Sequence, residues 1–182
     1  MAIQKIITVP NPVLRKKSKI VKKGQFGNLK KLIWDLRETL ASTQKPEGMG
    51  ISAPQIGVLQ QVAVIKKGQT FKVLVDPRII SSSKQTLKEV LPEEKRMLEG
   101  CLSVPNVWAF VNRPAEIKIK YLDSAGKEKE ASFEGALGIC VQHEIDHLNG
   151  ILFTQKALEQ KEKFYRLEKD EKGKTVFTEI EI

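Results

Sequence analysis

Histidine and cysteine are scarce in this chain, with two of each among 182 residues. So few cysteines exclude a disulfide-stapled secreted scaffold and suit a reducing compartment. No stretch approaches the roughly 18 apolar residues of a membrane-spanning helix. No internal repeat or low-complexity segment appears, so the chain is not a repeat array. Met1-Ala2-Ile3-Gln4-Lys5 leads to prolines and not to an apolar run. No secretory leader is expected, and a cytoplasmic location is.

What is present reads as an ordinary globular domain with a sizeable core, at 41% hydrophobic and 29% charged residues. Lys and Arg number 31 against 22 Asp and Glu, a net charge of +9. A basic balance favours an anionic neighbour. Lys16-Lys17, Lys22-Lys23 and Lys30-Lys31 crowd the first third of the chain. A solvated lysine-rich surface is the plainer explanation for any one pair. No membrane partner and no sequence-specific nucleic acid is expected.

Periodicity predicts a short proline-started helix over 10–17 and a long one over 26–42, with Phe26, Leu29, Ile33, Leu36 and Leu40 on one side. Strands are predicted over 61–66 and 71–75 about the turn Lys67-Gly68-Gln69, and more weakly over 84–91. Residues 116–122 and 127–133 form a further pair, and a helix comes next over 134–148. Residues 155–163 suggest a helical turn or two. Lys174 to Ile182 alternates as a terminal strand, with Val176, Thr178, Ile180 and Ile182 on one side, pairing with Phe164 to Glu168. Strands in runs with helices apart argue for an α+β fold: one domain over 1–182, antiparallel sheets around a central helix, and a C-terminal strand extension.

Both histidines lie in His143-Glu144-Ile145-Asp146-His147, the H-E-x-x-H pattern. On a helix the two imidazoles share one face about a turn apart and can grip one metal ion. Glu144 then sits where it can take a proton from metal-bound water. Ala136, Ile139 and Cys140 extend the same face, so the histidines continue an apolar stripe. A third ligand is needed. Cys140 and His147 are separated by roughly 10 Å of helix axis, too far for one ion. Cys101 comes from elsewhere in the chain, so geometry does not exclude it, and Gly100 beside it permits close backbone approach. A small buried hydrophobe is the plainer role for Cys101 taken alone. Gly48-Met49-Gly50-Ile51-Ser52-Ala53-Pro54-Gln55 is a third notable segment. It lacks the phosphate-loop lysine and the dinucleotide glycine spacing.

These three segments, in this order, resemble the signature motifs of the peptide deformylase family: G-x-G-(aliphatic)-(small)-A-x-Q, E-G-C-L-S and H-E-x-D-H. The resemblance covers about residues 7–153 and leaves 154–182 as an extension. It implies a metal-dependent hydrolase of protein biosynthesis, acting in co-translational N-terminal processing. Such an enzyme removes the formyl group from formyl-methionine of nascent chains. Cys101, His143 and His147 would hold one divalent ion, ferrous iron first and zinc, nickel or cobalt as alternatives. Glu144 would be general base and then acid. The Gln55 amide and the Leu102 backbone N–H would stabilise the oxyanion. Met49, Gly50, Met97, Glu99, Gly100, Ala136, Ile139 and Cys140 would line the substrate slot. Glu99 would also support a ligand, and Asp146 would pair with Arg113. N-formylmethionyl peptides are the implied partners, and the basic surface would suit contact with the ribosome. Trp108 stands where some relatives carry arginine and Gly138 where many carry alanine. Trp108 leaves the peptide preference open.

Two rivals keep the residues but change their use. A zincin-type metallopeptidase would draw its third ligand from Glu162, Glu168 or Glu171, and would give Cys101 and Gln55 no task. A deformylase-like protein that only binds ribosomal RNA would need a broken catalytic set, and the set is intact.

Overall fold

The computed structural model describes residues 3–22, 26–44, 47–171 and 173–181. The fold is α+β. Helix α1 spans Phe26–Ala41, α2 Leu87–Val90, α3 Gly135–Leu148 and α4 Phe153–Glu159. The strands are β1 Gly50–Ser52, β2 Val62–Lys67, β3 Thr70–Ser82, β4 Glu99–Cys101, β5 Val104–Ala109, β6 Glu116–Leu122, β7 Glu128–Glu134, β8 Phe164–Lys169 and β9 Thr175–Ile180. They form a five-stranded sheet in the order β1-β2-β3-β6-β7 and a four-stranded sheet in the order β4-β5-β8-β9. Every described pairing of named strands is antiparallel.

Apolar spacing decides which faces meet. On α1, Leu29, Leu32, Ile33, Leu36 and Leu40 are buried against Val62, Val64 and Val75 of the larger sheet. Each Leu or Ile side chain so removed from water contributes roughly 1.5–3 kcal/mol. Phe26, expected on the same stripe, is only partly buried. Helix α3 packs Cys140, Val141 and Ile145 with Ile65, Leu74, Ile117 and Ile119 of the same sheet. Every residue of α3 from Gly138 to Leu148 is buried, polar ones included. Such a segment must find internal partners for its polar groups. A third cluster joins Cys101, Val104, Ala109 and Phe164 of the smaller sheet to Phe153 and Ala157 of α4.

The end of α3 is fixed by Gly150. Its φ is +76°, and a Cβ there would stand 2.6 Å from the Arg15 carbonyl oxygen, so both conformation and space require glycine. The Leu148 carbonyl accepts from Ser18 N–H at 2.9 Å.

Several expectations need correction. The strand expected over 84–91 is instead the single helical turn α2. Glu89 accepts from Thr86 N–H at 2.6 Å and from its hydroxyl at 2.9 Å, a local cap that outweighs the weak strand pattern. The helix expected over 10–17 is a 3-10 turn, Pro12–Arg15, with the Asn11 side chain accepting from Val13 N–H at 3.0 Å. Strand β3 runs to Ser82, with irregular register against β6 between Val75 and Ser81, well past the expected end. The C-terminal hairpin pairs as expected, Phe164 with Ile180 and Lys169 with Thr175. Lys23, of the basic pairs, and Ile182, of the terminal strand, lie outside the described residues. No helix among the described residues is long and apolar enough to cross a membrane.

Candidate active site

Helix α3 brings His143 and His147 to one side, with ring centroids 4.8 Å apart and planes at 75°. Strand β4 brings Cys101 to them, its Sγ 3.1 Å from His147 Nε2. One donor atom from each of the three residues lies within 4.8 Å of the others. Ligands held at about 2.0–2.3 Å from one tetrahedral ion stand roughly 3.3–3.8 Å apart, so small side-chain shifts suffice for this donor set, gathered within 4.8 Å, to hold such an ion. Cys140 is not among them; its sulfur lies over Gly50 on the apolar side of the helix.

Two of the buried polar residues of α3, His143 and Asp146, find their partners in one network. Arg113, 2% exposed, donates from Nε and Nη2 to Glu99 at 2.5 and 2.9 Å, and from Nη1 to Asp146 at 2.8 Å. Lys156 of α4 reaches the other Asp146 oxygen at 3.1 Å. Glu99 also stands 3.0 Å from His143 Nδ1, which leaves the ring's Nε2 for the site. The Arg113–Asp146 pair is therefore buried, not a weak surface contact. Glu99 lines the cavity as expected, but its two oxygens are taken by Arg113 and His143.

Gln55 sits on a 3-10 turn, Ala53–Ile56, that ends at Gly57 with φ +83°. Its Oε1 accepts from Ser52 N–H at 2.9 Å and from the Ser52 hydroxyl at 3.0 Å. That fixes which end of the amide faces the site: Nε2 lies 3.2 Å from Ser103 Oγ and 3.7 Å from Cys101 Sγ. Sequence reasoning does not single out Ser52 or Ser103. The signal is present, since each lies inside a motif, but neither carries chemistry of its own.

Glu144 is 3% exposed, and its Oε2 has no hydrogen-bond partner among the described residues. A Cβ on Gly50 would come within 2.7 Å of Glu144 Oε1 and 2.8 Å of Cys140 Sγ, so the absent side chain makes room for the carboxylate. Gly100 is explained differently: the Trp108 ring lies where its Cβ would be, at 2.6–2.8 Å. All these groups border a cavity of about 190 Å³. Met49, Gly50, Met97, Glu99, Gly100, Ala136, Ile139 and Cys140 all line it, together with Leu102, Trp108, Gln55, Cys101, His143 and Glu144. Ile139 and Cys140 are buried there, while Met49 and Met97 are 45% and 39% exposed at its rim.

The charges are arranged in opposition. Burial pushes the Glu99 carboxyl up, but the hydrogen bonds from Arg113 and His143 win and hold it at about 2. Burial likewise raises the Cys101 thiol, and the adjacent His147 and His143 bring it well below its ordinary value. Burial pushes His143 down, but Cys101 and Glu99 raise it well above the usual range. Burial raises Glu144, against His147 and His143. Burial also raises Cys140, with Glu144 and Glu99 adding to it. One cysteine is thus set as a thiolate and the other as a neutral thiol, as a donor and a packing group should be.

Residues 3–163 match the family model described as polypeptide deformylase. The chain belongs to the polypeptide deformylase family. Peptide deformylase of Caldicellulosiruptor bescii is 41% identical over 158 residues, which cover 87% of each chain. The crystal structure of a peptide deformylase from Legionella pneumophila is 39% identical and superposes with a TM-score of 0.73, covering 85% of this chain and 86% of that one. A class I type b peptide deformylase from Acinetobacter baumannii, solved with Met-Ala-Ser bound, is 28% identical with a TM-score of 0.75, covering 85% and 98%. The deformylase family consists of enzymes that remove N-terminal formyl groups.

Proposed function

We propose that this chain, a single catalytic unit over residues 1–182 with its motif core at 7–153, hydrolyses the formyl group from formyl-methionine of newly made polypeptides in the cytoplasm. The observation that carries this reading is one convergence. The Cys101 and His143 donors, the Glu144 carboxylate and the oriented Gln55 amide all border one apolar-walled cavity, and His147 completes the donor set from behind it, 3.1 Å from the Cys101 sulfur. The tripeptide Met-Ala-Ser named with the Acinetobacter structure supports the substrate class.

Cys101, His143 and His147 would hold a divalent cation, ferrous iron as native occupant; a thiolate with two imidazoles also accepts zinc, nickel or cobalt. Such an ion supplies Lewis acidity, making water a nucleophile near neutral pH and polarising the formyl carbonyl. The rest falls to the chain's own groups. The methionine side chain enters between Met49, Met97, Ala136, Ile139 and Cys140 and fixes the formyl carbon over the site. Glu144 Oε2, with no competing partner among the described residues, accepts the proton of the attacking water. The carbonyl oxygen gains charge, and Gln55 Nε2 and the Leu102 N–H donate to it. Gln55 is neutral, so it stabilises that charge without repelling the cation. Glu144 then returns its proton to the departing amine, and formate leaves. Its burial-raised pKa suits a group that must both take and give.

Lysines 16, 17, 30 and 31 are exposed and support contact with the anionic ribosome surface, testable as binding that weakens steeply with salt. The deciding experiment measures metal content and formate release from formyl-Met peptides on anaerobically purified protein. Glu144→Gln should keep its metal and lose about 10²–10⁴-fold in turnover. Metal-loaded protein that releases no formate overturns the reading.

A further inference from the structure

The family match ends at Lys163, one residue before β8, and the chemistry above gives the hairpin β8–β9 no task. The hairpin has two unlike faces. Phe164 and Ile180, paired with each other, turn inward to the third core cluster. Tyr165, Leu167 and Phe177 lie on the other face. Trp108 joins them, since it pairs with Tyr165 on one side and with Gly100 of β4 on the other. The Phe177 ring meets the Trp108 ring edge-on at 5.7 Å and the Tyr165 ring at 6.4 Å. Phe177 is 48% exposed and Leu167 37% exposed. A single exposed apolar side chain needs no explanation, but a contiguous aromatic shelf beside a cavity does.

The shelf is continuous with the candidate active site. Trp108 and Leu102 line the cavity that holds His143 and Glu144, and they also line a second cavity of about 300 Å³ that reaches Leu167. Trp108 thus borders both cavities and touches Phe177, which gives a polypeptide whose first side chain fills the first cavity an apolar path outward along the shelf. An extended chain advances roughly 3.4 Å per residue, so the ring-to-ring step to Phe177 takes about two residues.

We propose that the C-terminal hairpin is a substrate-selecting element, in which Phe177 and Leu167, with Trp108, bind an aromatic or large apolar side chain at the third residue of the formylated polypeptide. This rests on the deformylase reading above and extends it from the formyl-methionine to the residues downstream of it. The contact is with ground state and transition state alike, so it acts through KM and leaves kcat nearly unchanged.

The test compares kcat/KM for formyl-Met-Ala-Phe and formyl-Met-Ala-Ser. Wild-type protein should favour the phenylalanine peptide by about 3- to 10-fold, the range expected of one aromatic contact. Phe177→Ser and Leu167→Ser should each bring that ratio toward one. Thr178→Ala, on the opposite face of the same strand, should keep it. Circular dichroism spectra matching wild type confirm that each variant is folded. Wild-type protein that cleaves both peptides equally overturns the hairpin contact and leaves the deformylase reading standing. Protein that cleaves neither overturns that reading itself. A dimer that Phe177→Ser dissolves while the ratio stays fixed assigns the face to a second copy of the chain, and also overturns the proposal.

Discussion

His143 Nδ1 faces the Glu99 carboxylate at 3.0 Å, and that carboxylate is the one Arg113 grips from two directions. With Glu99 held ionised near a pKa of about 2, its oxygens can only accept. The proton therefore stays on Nδ1, and Nε2 is the atom presented to the site. Glu99→Gln keeps the shape but weakens that acceptor and leaves Arg113 underpaired. Metal affinity should fall about 10–100-fold, read by competition with a chelating dye. Arg113→Met takes the shared cation from two buried carboxylates, leaving Glu99 only His143 and Asp146 only Lys156, and should cost about 3–5 kcal/mol in urea unfolding. Affinity unchanged in Glu99→Gln would falsify the positioning role.

Gly50→Ala tests the opposite side of the site. The new methyl must move the Glu144 carboxylate or the Cys140 sulfur, which stand 2.7 and 2.8 Å from its position. A displacement near 1 Å at the reacting groups costs on the order of 10²-fold in kcat. Metal content should not change, because no donor atom is touched. Full turnover in Gly50→Ala would show that Glu144 has room to spare.

The two cysteines should separate cleanly. Cys101→Ala removes a donor and should lose bound metal at stoichiometric loading. Cys140→Ala should retain it, since its sulfur serves packing beside Gly50. Elemental analysis of the two purified variants decides between them, and the reverse result would exchange their roles.

Much of the site was legible because its chemistry is written in residue types that the chain seldom uses. Two histidines at helical spacing, with two cysteines to choose between, leave few arrangements. The α3 boundaries were equally plain from the apolar stripe. Less could be read of β4 and β5. They are short, glycine and proline interrupt them, and Asn106 takes a φ of +61°, so no alternation marks them. The Glu99–Arg113 contact was illegible for another reason: pairing across 14 residues depends on how β4 and the segment after β5 fold back. Gly100 looked like a site glycine, and only the structure shows that it yields its space to Trp108.

Ala136→Phe should fill the mouth of the methionine slot without touching a donor. The unmodified enzyme should prefer formyl-Met over formyl-Ala peptides, since burying a methionine side chain is worth roughly 1.5–3 kcal/mol. The variant should lose that preference and keep its metal. Equal kcat/KM for both peptides in the unmodified enzyme would remove the slot from the description.

Cys101 and His147 are 46 positions apart and belong to different halves of the architecture. One rides on the four-stranded sheet, the other on the helix that packs on the five-stranded sheet. An ion bridging them is therefore a clasp between the halves, and occupancy becomes a term in folding stability. Ligand at a hundred times its dissociation constant adds about 2.7 kcal/mol. A melting curve with and without chelator thus weighs the clasp directly, and does so in variants that no longer turn over any peptide.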